Sequence, residues 1–123
     1  MYEPLRILTV DDESSVTLSL RFVFSDPRYE LTCVASGQAA LARLDANAGQ
    51  FDVIIVDEKM PSMTGVELVG LMRKRGLGGK IVVVSAHLNS AIRDAYKRLG
   101  VQRLFSKPFN VEELRSAVDQ LAA

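Results

Sequence analysis

The sequence predicts one open α/β domain, a parallel five-stranded sheet doubly wound by helices on both faces. Three observations carry this reading: short runs of Val, Ile and Leu, stretches with helical apolar spacing between them, and strict alternation of the two. Consecutive parallel strands joined through helices require right-handed crossovers, which lay helices on both sides of an open sheet. In such sheets ligands bind beyond the carboxyl ends of the strands. The residues that follow each strand are therefore where function is sought.

The first strand is expected at 5–10, an apolar run that suits a buried interior position. A helix follows with Val16, Leu20, Val23 and Phe24 on its inner face. Residues 29–34 alternate, with Tyr29, Leu31 and Cys33 on one side and Glu30 and Thr32 on the other, the pattern of a half-exposed edge strand. Ala40, Leu41 and Leu44 mark the second helix, and 51–56 a third, interior strand. The third helix buries Leu68, Val69, Leu71 and Met72; Thr64 and Glu67 have the spacing of a reciprocal cap at its start. Gly76, Gly78 and Gly79 form a turn before the fourth strand at 81–84. The fourth helix starts near Asn89 and carries Ala91, Ile92, Ala95, Tyr96 and Leu99. A fifth strand at 102–106 has only Leu104 and Phe105 after two polar residues, and the alternation of elements supports it more than its composition does. The last helix begins at Asn110, with Glu113 in the cap-box position, and buries Val111, Leu114, Val118 and Leu121.

At 123 residues the chain reads as a single domain over 1–123, with neither linker nor internal repeat. Fifteen basic residues balance fifteen acidic ones, so no net field draws it to nucleic acid or an anionic membrane, and neither is expected as a direct partner. Cys33 is the one cysteine; it cannot close an internal disulfide and reads as a packing residue in a reducing compartment. No apolar run approaches the roughly 20 residues that cross a bilayer, and the N-terminus lacks the pattern of a secretion signal. A cytoplasmic, soluble protein is expected.

The strand ends carry the chemistry. Asp11 and Asp12 follow the first strand, Asp57 ends the third, Ser85 the fourth and Lys107 the fifth. Carboxylates that share a crevice raise one another's pKa unless a cation neutralises them. With no Cys or His in the set, a hard, oxygen-preferring ion such as Mg²⁺ fits best.

Val10-Asp11-Asp12-Glu13, Asp57 with Met60-Pro61 and Gly65, Ser85-Ala86, and Lys107-Pro108-Phe109 occur in that order, each at a predicted strand end. Any one of these motifs is weak, but together they resemble the receiver domain of bacterial two-component response regulators, over essentially the whole chain. The resemblance implies a flavodoxin-like sheet of strand order 2-1-3-4-5. It implies that Asp57 is the phosphoacceptor, a carboxylate nucleophile. Asp12 then binds Mg²⁺ directly and Asp11 supports it through water, together with Asp57 and the backbone carbonyl of Lys59. Ser85 donates its hydroxyl to a phosphoryl oxygen once Asp57 is modified, and Lys107 stabilises the same group. A cis bond between Lys107 and Pro108 is implied, with Met60, Pro61 and Gly65 shaping the loop after the nucleophile. The implied partners are a histidine kinase or phosphotransfer protein and a downstream output partner or domain, for a monomer or weak dimer whose catalysis is confined to its own phosphorylation and dephosphorylation.

The chain departs from the family at Leu104, where many receivers carry Tyr or Phe, and at Gln102 and Arg103, where DNA-binding relatives often carry acidic residues that pair across a dimer. Phe105 is expected in the core, because neighbouring strand residues face opposite ways. Asp12 can alternatively be read as a cap of the first helix, and Glu13 as a solvated residue favourable to a helix N-terminus. Lys59 and His87, each two residues past a site residue, are expected to lean over the mouth of the pocket. The rival from another class is a receiver-like interaction module that works without phosphorylation, which the intact Asp11, Asp12, Asp57, Ser85 and Lys107 oppose. A flavin-type cofactor binder fits poorly, since Asp11 and Asp12 repel a cofactor phosphate and Trp is absent. A kinase or phosphatase with a separate substrate lacks a P-loop and a second aspartate two residues after Asp57.

Overall fold

Five strands and five helices alternate in the computed structural model, which describes residues 3–46, 50–77 and 79–123. The strands are β1 (Leu5–Val10), β2 (Tyr29–Val34), β3 (Val53–Val56), β4 (Lys80–Ser85) and β5 (Arg103–Ser106). The helices are α1 (Ser14–Val23), α2 (Gly37–Ala46), α3 (Gly65–Lys74), α4 (Ser90–Arg98) and α5 (Val111–Ala122). All four strand pairings are parallel, and the order is β2-β1-β3-β4-β5, the one the resemblance implied.

Two apolar layers sandwich the sheet, and the period-two alternation of the strands assigns residues to them. Leu8, Val10, Ile54, Val56, Ile81 and Val83 face α2, α3 and α4. Ile7, Val53, Ile55, Val82, Val84 and Phe105 face α1 and α5. β3 is buried along its whole length, as a central strand covered on both sides must be. Each such aliphatic side chain contributes about 1.5–3 kcal/mol by leaving water.

Several expectations shift in detail. β3 starts at Val53: Asp52 donates its N–H to the Arg6 carbonyl at 2.8 Å, and its Oδ2 accepts the Arg6 N–H at 2.9 Å, a side-chain bond to β1 just ahead of the strand. β4 extends one residue beyond the apolar run at each end, and its last residue, Ser85, pairs with Ser106. β2 is an edge strand, yet only Tyr29 and Glu30 alternate cleanly in burial; from Leu31 onward both faces are partly covered. Ala91 and Val111, expected on buried faces, are exposed. Ala91 lies about a quarter turn off the stripe of Ile92, Tyr96 and Leu99. Val111 is the first residue of α5 and borders an open groove beside α1.

The expected caps hold the helix starts. Thr64 and Glu67 form the full reciprocal box, with Oγ1 accepting the Glu67 N–H at 3.2 Å and Oε1 accepting the Thr64 N–H at 3.0 Å. Asn89 and Asn110 accept from Ile92 and Glu113, at 2.9 and 3.0 Å; at Asn110 the side-chain half of the box forms. α3 ends at Lys74 with Arg75 at its C-cap, and the next residue, Gly76, has a φ of +67°, which glycine adopts without steric cost. Gly78 of the predicted turn lies outside the described residues. Cys33 is a half-buried free thiol.

Candidate functional site

The carboxyl ends of β1, β3, β4 and β5 converge on one rim. Asp11 and Asp57 are drawn side by side because backbone bonding continues past the strands: Asp57 N–H donates to the Val10 carbonyl at 2.9 Å and Asp11 N–H to that of Val34 at 3.2 Å. Both carboxylates are buried, at 5% and 4% exposure, whereas Asp12 is exposed. One oxygen from each of Asp11, Asp12 and Asp57 lies within 4.8 Å of the others.

Lys107 reaches this cluster from the end of β5. Its Nζ stands 3.0 Å from Asp11 Oδ2, 3.0 Å from Glu13 Oε1 and 3.4 Å from Asp57 Oδ1. Its N–H donates to the Ser85 carbonyl at 3.0 Å, and its bond to Pro108 is cis. Ser85 is fully buried; its Oγ accepts the His87 N–H at 3.1 Å, which leaves the hydroxyl proton to be donated elsewhere.

Burial, and then the charge of Asp11, push the Asp57 carboxyl up to about 6 against the opposing pull of Lys107. Burial also raises Asp11, opposed by the Glu13 N–H at 2.9 Å and by Lys107. For Lys107, burial works to lower the pKa, but its bonds to Asp11 and Glu13 prevail and leave it raised. Two desolvated carboxylates therefore share one ammonium, an arrangement short of positive charge. The remaining donors are all oxygen, so the site fits a hard divalent cation such as Mg²⁺. The cleft above it, about 470 Å³, is walled by Asp12, Lys59, Met60, Pro61 and His87, so Lys59 and His87 do stand at its mouth.

One minor reading is corrected here and another extended. Asp12 does not cap α1: the N-cap position belongs to Glu13, with no side-chain cap bond, and Asp11 makes the local turn by accepting the Glu13 N–H. Glu13 is exposed at the N-cap of α1, as expected, and it also pairs with Lys107, whose ammonium is held between it and Asp11. Phe105 lies in the core against the α1/α5 layer, as expected, while Leu104 packs against the α3/α4 layer.

Sequence reasoning missed Glu58. It is buried at 7% exposure, directly after Asp57, and its Oε1 accepts both the Val66 N–H at 3.0 Å and the hydroxyl of Tyr96. The available signal was a tyrosine in the apolar stripe of α4, since a buried phenol needs an acceptor.

A doubly wound sheet with an acidic cluster, a buried hydroxyl and a lysine at its strand ends defines a class, the phosphoryl-accepting signalling domains. Comparison with known proteins gives the family. The response regulator receiver domain matches residues 7–119, and the chain belongs to that family. It is 29% identical over 113 residues to sporulation initiation phosphotransferase F of Bacillus subtilis, covering 92% of this chain and 90% of that protein. It is 33% identical over 109 residues to a response regulator receiver protein of Anaeromyxobacter sp., covering 89% of this chain but 45% of that protein. Among solved structures, the chemotaxis protein CheY4 of Vibrio cholerae superposes with a TM-score of 0.86 at 30% identity, over 97% of this chain and 99% of that one. The chain is thus a receiver domain homologous to those of two-component response regulators, and no finding favours the variety that works without phosphorylation. No helix among the described residues is long and apolar enough to cross a membrane.

Proposed function

We propose that Asp57 accepts a phosphoryl group from the phosphohistidine of a kinase or phosphotransfer protein, in the cytoplasm, and that the modified site resets a protein-interaction surface. The observation that carries this is the pairing of a buried nucleophilic carboxylate with Lys107 at 3.4 Å, beside Asp11 and under an open cleft. An Asp57 oxygen attacks the phosphorus, the bond from phosphorus to the donor nitrogen breaks, and its electron pair leaves with the imidazole. Asp11, Asp12, Asp57 and the carbonyl of Lys59 would hold Mg²⁺, which when bound neutralises charge on the transferred oxygens. Lys107 exchanges part of its hold on Asp11 and Glu13 for a phosphoryl oxygen. Ser85 donates its free O–H to another, drawing residues 86–89 toward the site.

Magnesium-dependent binding of beryllofluoride, a phosphoryl mimic, tests the reading against the non-phosphorylated interaction module. Saturable binding that requires Mg²⁺ and is lost in Asp57→Asn is expected. Absence of binding to the wild type would leave the interaction module as the better account.

A further inference from the structure

Burying a glutamate is costly unless its oxygens find partners, and Glu58 has found three connections at once. Its carbonyl accepts the Gly65 N–H at 2.8 Å and its Oε1 the Val66 N–H at 3.0 Å, so the residue grips the first turn of α3 with both backbone and side chain. The loop closed by this grip contains Lys59, Met60 and Pro61, which wall the cleft. The third connection is the Tyr96 hydroxyl, delivered to the same Oε1 from a fully buried ring on α4. Gly65 makes room for it: a Cβ there would collide with that hydroxyl and stand 2.7 Å from the Asp57 carbonyl. One oxygen thus joins α4, the start of α3 and the residue next to the nucleophile. Leu104, packed against the same layer, offers no polar group to take that place.

We propose that Tyr96 is a positioning residue of the phosphoacceptor site: acting through Glu58, it fixes the loop that carries Lys59 and makes the seating of α4 and the occupancy of the site depend on each other. The proposal rests on the phosphoacceptor reading above and deepens it. α4 is joined to Ser85 through residues 86–89 and to Asp57 through the Tyr96–Glu58 bond, so a ligand that moves either end acts on the helix from two sides. Linkage then requires the reverse, that loosening α4 weakens the ligand. A tyrosine serving only to fill the core needs its ring in place and does not predict that dependence.

The test compares Mg²⁺-dependent beryllofluoride affinity, and the change in α4 amide exchange on binding, in wild type, Tyr96→Phe, Glu58→Gln and Glu58→Met. Tyr96→Phe keeps the ring and removes one donor; affinity about 3- to 10-fold weaker and a diminished α4 response are expected. Glu58→Gln keeps an acceptor oxygen for both donors and is expected to bind like the wild type, whereas Glu58→Met, of similar size without an acceptor, is expected to match Tyr96→Phe. Wild-type affinity and α4 response in a folded Tyr96→Phe would overturn the proposal. If that variant does not fold, the Glu58 pair decides: Gln binding more tightly than Met supports it, and equal binding overturns it. A wild type that fails to bind beryllofluoride overturns the phosphoacceptor reading and this proposal with it, whereas binding by the wild type with no effect of any variant removes only the proposal.

Discussion

Asp57 is held at a cost that a ligand can relieve, and that makes its behaviour testable residue by residue. Its folded-state pKa, about 6, lies above the ordinary 3.8, mainly through burial and then the charge of Asp11. The metal-free fold thus favours the protonated form more than the unfolded chain does: this group's stabilising contribution is complete below pH 3.8 and is lost as pH rises through about 6. Asp57→Asn should therefore raise metal-free stability by about 1–3 kcal/mol at pH 7.5 and by much less at pH 4, measured by urea unfolding. An equal effect at both pH values would contradict the electrostatic account. Mg²⁺ affinity should fall as pH drops through about 6, because protons compete for Asp57; titration calorimetry at pH 5 and 7.5 measures this. Lys59 and His87 line the cleft; on the proposal that they obstruct a water approaching the phosphorus, Lys59→Ala and His87→Ala should release phosphate faster than the wild type. Unchanged rates in both would make them bystanders. Asp11, Asp12, Asp57, Ser85 and Lys107 could be picked out as candidates because each ends or closely follows a strand. The partners of Glu58 and Glu13 were not, because those bonds join residues 38 and 94 positions apart, and only the fold brings them together.

At the level of elements, the legible features were those with local causes. The start of α3 was readable because Thr64 and Glu67 satisfy each other's backbone N–H groups within four residues. Thr64→Ala should cost about 1 kcal/mol in urea unfolding, and Thr64→Ser should recover most of it. The weak fifth strand was legible only from the alternation of elements: β5 has Phe105 buried and Leu104 half-buried between exposed ends, and its place follows from pairing with β4. The start of β3 was misread because Phe51 prolongs the apolar run, whereas the Arg6 N–H of β1 goes to the Asp52 side chain and the strand proper begins at Val53. Since Ser85 and Lys107 stand at the roots of α4 and α5, beryllofluoride should change amide exchange over α4, β5 and α5 and leave α2 unchanged. Identical exchange with and without the ligand would contradict a switch in that face.

For the whole molecule, the sequence pattern alone argued for a parallel, doubly wound sheet, while the strand order came from resemblance. That division has a physical basis: right-handed crossovers restrict the hand of each connection but leave open on which side of β1 each strand is added. The order places β1 and β3 next to each other, which brings Asp11 beside Asp57, then β4 next to β3 and β5 next to β4, which brings Ser85 and Lys107 to the same rim. The chain spans less than half the length of the Anaeromyxobacter relative. The central claim is that this arrangement makes Asp57 a phosphoacceptor. It is tested most directly by intact mass spectrometry after incubation with acetyl phosphate and Mg²⁺, on wild type and Asp57→Asn together. Addition of a single phosphoryl group to the wild type, dependent on Mg²⁺ and absent from Asp57→Asn, is the predicted result; equal labelling of the two proteins, or none of the wild type, would contradict it.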